Sequence, residues 1–157
     1  DWDTAKKLPW GVLLLFGGGL ALTESFKHSG LSSYFGDVLA EHATISHFSI
    51  LAIVVGSVNF LTEVTSNVAT VSIMLPILIS LAEVINIHPY ILMVGATLAA
   101  SCAFMLPVAT PPNAVVFASG FIRIKDMVKA GFTLNLISIF IISMYVYWVL
   151  PWIWNIT

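Results

Sequence analysis

Between Val84 and Ile122 no side chain carries a formal charge. A stretch of that kind belongs in hydrocarbon, yet it is nearly twice the roughly 20 residues that carry a straight helix across about 30 Å of bilayer core. It must therefore be interrupted. The interruption is written in MLPVATPPNAVVF, where Pro107, Pro111 and Pro112 remove backbone donors and push the residues before them out of the α region. The pattern predicts a helix over about 89–107, an unwound stretch over 108–112 and a half-helix over about 113–120. Irregular backbone at membrane depth survives only where protein or a polar cavity satisfies the freed amides and carbonyls. The plainer alternative is a proline kink in a structural helix.

The rest of the chain agrees with a bilayer. Further charge-free runs cover 8–23, 43–62, 64–82 and 130–157. Hydrophobic residues make up 59% and charged ones 9%, against about 25% charged in an ordinary globular domain, so too few polar side chains remain to coat a water-facing surface. The net charge of −2 and the lack of a basic run argue against nucleic acid. A single cysteine, Cys102, excludes an internal disulfide framework, and no Cys/His spacing points to zinc. The expected class is an all-α polytopic membrane protein. The chain opens on Asp1 without a basic leader or a small-residue cleavage site, and it is expected to be a piece of a longer protein.

A second interruption lies between two apolar arms, 44–62 and 68–87, joined by Thr62, Glu63, Val64, Thr65, Ser66 and Asn67. Two full crossings with an ordinary loop and a re-entrant hairpin fit the lengths equally. The join lacks the Gly, Pro, Lys and Arg of an exposed turn, and the next interruption is also polar and uncharged, which favours the re-entrant hairpin. Two discontinuous segments in one stretch of chain read as a binding-site pair.

Lys6 and Lys7 precede the first apolar run, and Arg123, Lys125 and Lys129 lie between the fourth and fifth, so both places are expected on the cytoplasmic side. Passing out over 10–26, in and back over 44–87, and in again over 89–120 returns the chain to its starting side. The last run, 131–154, then leads outward and places the C-terminus outside, with Tyr145, Tyr147, Trp148, Trp152 and Trp154 as an interfacial belt. Residues 31–42 carry Leu31, Tyr34, Phe35, Val38 and Leu39 at helical spacing and read as an amphipathic arm in the headgroup plane.

The two breaks gather Thr62, Thr65, Ser66 and Asn67 with Ala109, Thr110, Pro111, Pro112 and Asn113. Carbonyls freed at broken helix ends are hard ligands for a small cation such as Na⁺, and helix starts offer amides to an anion. That pairing predicts an anion bound together with cations. No HExxH, GxSxG or phosphate-binding glycine loop occurs, so the chain is not read as an enzyme. Glu63 is either a proton relay or a structural cap.

The segments WGVLLLFGGGLAL (10–22), FLTEVTSN (60–67), SCAFMLPVATPPNAVVFASG (101–120) and KDMVKAGFTLN (125–135) resemble, in style and order, the C-terminal half of a divalent anion/sodium symporter, the family of sodium-coupled dicarboxylate, citrate and sulfate carriers. The resemblance implies a homodimeric transporter in the plasma (inner) membrane, built from two inverted repeats, each with a re-entrant hairpin and a broken helix. It also implies that substrate moves by an elevator-like shift. The chain would be one half: 1–43 a scaffold-side helix and interfacial arm, 44–120 part of the transport domain (hairpin 44–87, broken helix 89–120), and 121–157 a cytoplasmic linker and last helix. The N-terminal repeat of the parent chain would be its partner.

By that similarity Ser66 and Asn67 open the family's Ser-Asn-Thr signature at the hairpin tip and contact substrate together with Val68, Thr110 and Pro111. A sodium ion would lie among Thr62, Thr65, Asn67, Ala109 and Pro111. Val68 departs from the family's threonine, which raises sulfate as an alternative to a C4 diacid such as succinate; Thr110 before the Pro-Pro pair favours the dicarboxylate branch. A citrate carrier, a dicarboxylate exchanger, an anion channel and a non-transporting membrane subunit are the other readings.

Overall fold

Helix accounts for every regular element that the computed structural model describes, which covers residues 1–6, 10–31, 34 and 46–155. A short turn, α1 (Trp2–Ala5), precedes α2 (Trp10–His28). Then come α3 (His47–Thr62), α4 (Asn67–Val84), α5 (Pro89–Ala100), α6 (Pro111–Ala118) and α7 (Ile124–Met144). α7 runs through a π-helical turn, Tyr145–Val149, into α8 (Leu150–Trp154). Asn67–Val84 and the continuous run Ile124–Trp154 are long and apolar enough to cross a membrane, whereas His47–Thr62 and Pro89–Ala100 are shorter apolar helices. The amphipathic arm expected over 31–42 lies almost wholly outside the described residues.

α5 is the hub: α3, α4 and α7 all pack against it, and α2 lies against α4. Leu51, Val54, Val55 and Val58 of α3 fall at i, i+3, i+4 and i+7, and this stripe is buried against Leu92, Ala96, Ala99 and Ala100 of α5 and against Ile142 and Val146 beyond. Small side chains on α5 permit the close approach, as in membrane helix pairs generally. At Gly95 even a Cβ would stand 2.9 Å from Leu51 Cδ1 and 3.2 Å from Val55 Cγ2. At the far end Phe48 meets Tyr147 edge-on at 5.4 Å and Tyr90 meets Trp154 at 5.7 Å, so part of the expected aromatic belt ties helix ends together.

The break differs from the expected one. α5 stops at Ala100 rather than near 107, and α6 starts at Pro111 rather than 113, so the non-helical stretch is 101–110. The prolines begin a helix here instead of ending one: their missing N–H groups fall at the first helical positions, where no intrahelical bond is lost. What ends α5 is a tertiary competitor for its backbone, described below. Similarly α7 starts at Ile124, where Arg123 and Asp126 pair at 2.8 Å, and not at 131.

Candidate functional site

The buried stripe of α3 turns polar as it reaches the break: Asn59 and Thr62 continue its spacing, and Glu63 follows. Each serves a different part of the opened backbone. Asn59 Nδ2 donates to the carbonyl of Cys102 and, at 3.4 Å, to that of Ala99. Thr62 Oγ1 lies 3.0 Å from the carbonyl oxygen of Ala100. The Glu63 carboxylate takes the amides: Phe104 N to Oε1 at 2.8 Å, Met105 N to Oε1 and Oε2 at 3.0 and 3.1 Å, and Leu106 N to Oε2 at 3.1 Å. Asn135 Nδ2 of α7 adds a bond to Oε1 at 2.7 Å. From the other side Asn113 Nδ2 donates to the carbonyls of Ala103 and Leu106 at 2.9 and 3.1 Å. Side chains thus satisfy the groups that leaving the helix sets free, as buried backbone requires. All of these partners of Glu63 donate, which suits an acceptor-only carboxylate and makes it a cap on a nest of amides.

At the hairpin tip Thr62 Oγ1 is also 2.7 Å from Asn67 Oδ1. Three oxygens, Thr62 Oγ1, Asn67 Oδ1 and the Ala100 carbonyl, therefore share one hydroxyl hydrogen, which can serve only one acceptor. An oxygen-rich, proton-poor donor set fits a small hard cation such as Na⁺. The hydroxyl of Thr65 bonds to Leu61 O at 2.9 Å and to Thr70 Oγ1, tying the tip to both arms. Ser66 caps α4 by accepting from Ala69 N at 3.1 Å, and Thr110 caps α6 by accepting from Asn113 N at 3.4 Å. Neither helix has an acidic residue in its first turn to offset the partial positive charge there.

Thr62 is fully buried and Asn67 and Thr110 partly so, while Thr65, Ser66, Val68 and Pro111 are exposed in this chain. Among the described residues no hydrogen bond joins Thr65, Ser66 or Asn67 to Ala109, Thr110 or Pro111. The two clusters are connected through Glu63, which holds 104–106, and through Asn113, which ties α6 to the same stretch. Asn59 and Asn135 are the residues that motif reading passed over. Asn59 was detectable because it sits on the apolar stripe one turn before Thr62, and Asn135 because an amide in an otherwise apolar spanning helix needs a partner.

The profile described as the sodium:sulfate symporter transmembrane region matches residues 1–155. Among curated proteins, the sodium-dependent dicarboxylate transporter SdcS of Staphylococcus saprophyticus subsp. saprophyticus is 51% identical over 151 residues, covering 96% of this chain and 29% of the relative. SdcS of Staphylococcus aureus strain USA300 matches with the same identity and coverage. The chain thus spans less than a third of the length of these relatives. With the family profile covering nearly every residue, the chain belongs to the sodium:sulfate symporter family, the divalent anion/sodium symporters, whose matched members are transporters and not enzymes.

Proposed function

We propose that the chain belongs to the C-terminal half of a secondary active transporter that couples inward Na⁺ movement to uptake of a C4-type dicarboxylate such as succinate. The observation that carries this reading is the 51% identity to sodium-dependent dicarboxylate transporters across 96% of the chain. The local chemistry supports it. Na⁺ takes the oxygens around Thr62, Thr65, Asn67, Ala109 and Pro111, and the diacid's carboxylates meet the uncompensated starts of α4 and α6 at Ser66, Asn67, Val68, Thr110 and Pro111. Because Asn67 and Pro111 belong to both sets, a bound cation orders groups that the anion needs, which couples the two affinities.

In this reading α3 and α4 form a re-entrant hairpin, α5 and α6 a broken helix, and 44–120 moves as part of a transport domain past a scaffold in an elevator-like shift. The N-terminal inverted repeat completes the site, and the parent works as a homodimer in the plasma membrane. The Arg123/Lys125/Lys129 loop faces the cytoplasm and the C-terminus lies outside. Val68 supports a sulfate carrier as the second reading, since it removes a hydroxyl donor from the signature.

The test is radiolabelled succinate uptake by the full-length parent in proteoliposomes under an inward Na⁺ or K⁺ gradient, with unlabelled sulfate and citrate as competitors. Na⁺-dependent uptake blocked by diacids and not by sulfate is expected, and Asn67→Ala or Thr110→Ala should abolish it without lowering expression. Unchanged uptake in both variants would remove the site assignment. Uptake driven only by a proton or counter-substrate gradient would overturn the sodium coupling.

A further inference from the structure

We infer that Gly131 and Asn135, one turn apart on α7, are positioning residues for the binding break, Asn135 acting through Glu63 and Gly131 by direct contact with the Phe104–Met105 backbone. Both converge on one short stretch of backbone. Asn135 is fully buried and donates to Glu63 Oε1 at 2.7 Å, and that oxygen in turn accepts from Phe104 and Met105. A Cβ on Gly131 would run into the Phe104 carbonyl and stand 2.6 Å from Met105 Cα, so only glycine lets the broken backbone lie against α7.

The amide of Asn135 is specific to this purpose. Its own Oδ1 is buried with no hydrogen-bond partner among the described residues, a costly arrangement that an apolar residue would avoid, so its position is explained by the donor and not by the acceptor. With three consecutive amides committed to Glu63, the Ala100 carbonyl remains beside Thr62, whose hydroxyl also meets Asn67, and Leu106 stays tied to Asn113 at the head of α6. Residues of α7 thereby set the shape of a stretch that they do not themselves complete with ligand atoms. Orienting groups behind metal ligands typically govern affinity by about 10- to 100-fold.

The experiment uses the full-length parent in a single-cysteine background, with a nitroxide on Val108→Cys, an exposed position inside the break. Glu63→Gln, Asn135→Asp, Gly131→Ala and the exchange Glu63→Gln/Asn135→Asp are compared with wild type. In the exchange, the glutamine nitrogen donates to the new aspartate and its oxygen still accepts from Met105 and Leu106, so the contact with α7 is rebuilt with charge conserved while the Phe104 amide loses its acceptor.

Each single variant should mobilise the label and raise the Na⁺ half-saturation of uptake about tenfold, with the maximal rate at saturating Na⁺ little changed. The exchange should recover part of both, since it restores the contact with α7 but not the bond from Phe104 N. Singles with the wild-type spectrum, an exchange no better than its worse parent, or a mobilised label with unaltered Na⁺ dependence would each overturn the inference. The affinity readout rests on the proposed sodium coupling. Should wild type show no Na⁺-driven uptake, that reading fails and the label spectra alone decide the positioning role. Gly131→Ala can fail by misfolding, which the charge-conserving exchange avoids.

Discussion

The hydroxyl of Thr62 lies 2.7 Å from Asn67 Oδ1, across the tip that joins α3 to α4. With the Ala100 carbonyl 3.0 Å from the same hydroxyl, it joins an oxygen cluster that has one hydroxyl hydrogen for two acceptors. Removing that oxygen and keeping it in a smaller side chain should have opposite outcomes. Thr62→Val is expected to raise the Na⁺ half-saturation of uptake at least tenfold, and Thr62→Ser to stay within about threefold of wild type, because a charge-assisted oxygen contact contributes roughly 1.5–3 kcal/mol. Equal behaviour of the two variants would show that the hydroxyl serves the fold and not the cation.

Asn59 contributes to stability in a way that uptake need not register. Its Nδ2 satisfies the Cys102 carbonyl, freed where α5 ends, and supports that of Ala99, which also accepts from Cys102 N. Asn59→Leu should lower stability by about 1–3 kcal/mol through the orphaned Cys102 carbonyl. Thermal unfolding of the purified full-length parent in detergent measures this, and no shift in midpoint would contradict it.

Gly95 sets how closely α3 and α5 approach. Gly95→Leu forces a side chain into the space of Leu51 and Val55, an overpacking that typically costs about 1–3 kcal/mol. The companion change Leu51→Ala opens that space, so the double variant should be more stable than Gly95→Leu alone. Additive losses would mean that the helices are held apart by something other than this contact.

Val68 offers a test of substrate branch. It is exposed at the start of α4, one residue past Asn67, so Val68→Thr adds a hydroxyl there without disturbing a packed core. The variant should tighten succinate several-fold relative to sulfate in competition assays, about 1 kcal/mol for one added hydrogen bond. Tighter sulfate binding would favour the second reading of the site.

The bilayer class and the presence of a break were legible in residues 84–122 alone, because composition and proline are local facts. The extent of the break was not. Proline placement pointed to 108–112, whereas the backbone opens at Ser101, where Asn59, Thr62 and Glu63 of another helix take over its carbonyls and amides. Glu63 stood in the sequence as either cap or relay, and its partners explain why pattern could not choose. Phe104–Leu106 and Asn135 lie 41 to 72 residues away along the chain. Pro111 shows the same limit from the other direction: the residue that breaks a helix in its interior is equally suited to begin one, and only the Thr110 cap distinguishes the two uses.

Thr110 is extended at φ −144° and ψ 153°, the conformation that a following proline favours, and Pro111 and Pro112 hold their own φ angles through their rings. The entrance to α6 is therefore stiff by covalent construction before any ion or substrate arrives. Flexible loops that must freeze around a ligand lose affinity to the ordering of each rotor. The φ torsions of Pro111 and Pro112 are fixed in the free chain as well, so that part of the loss does not arise for the proposed site.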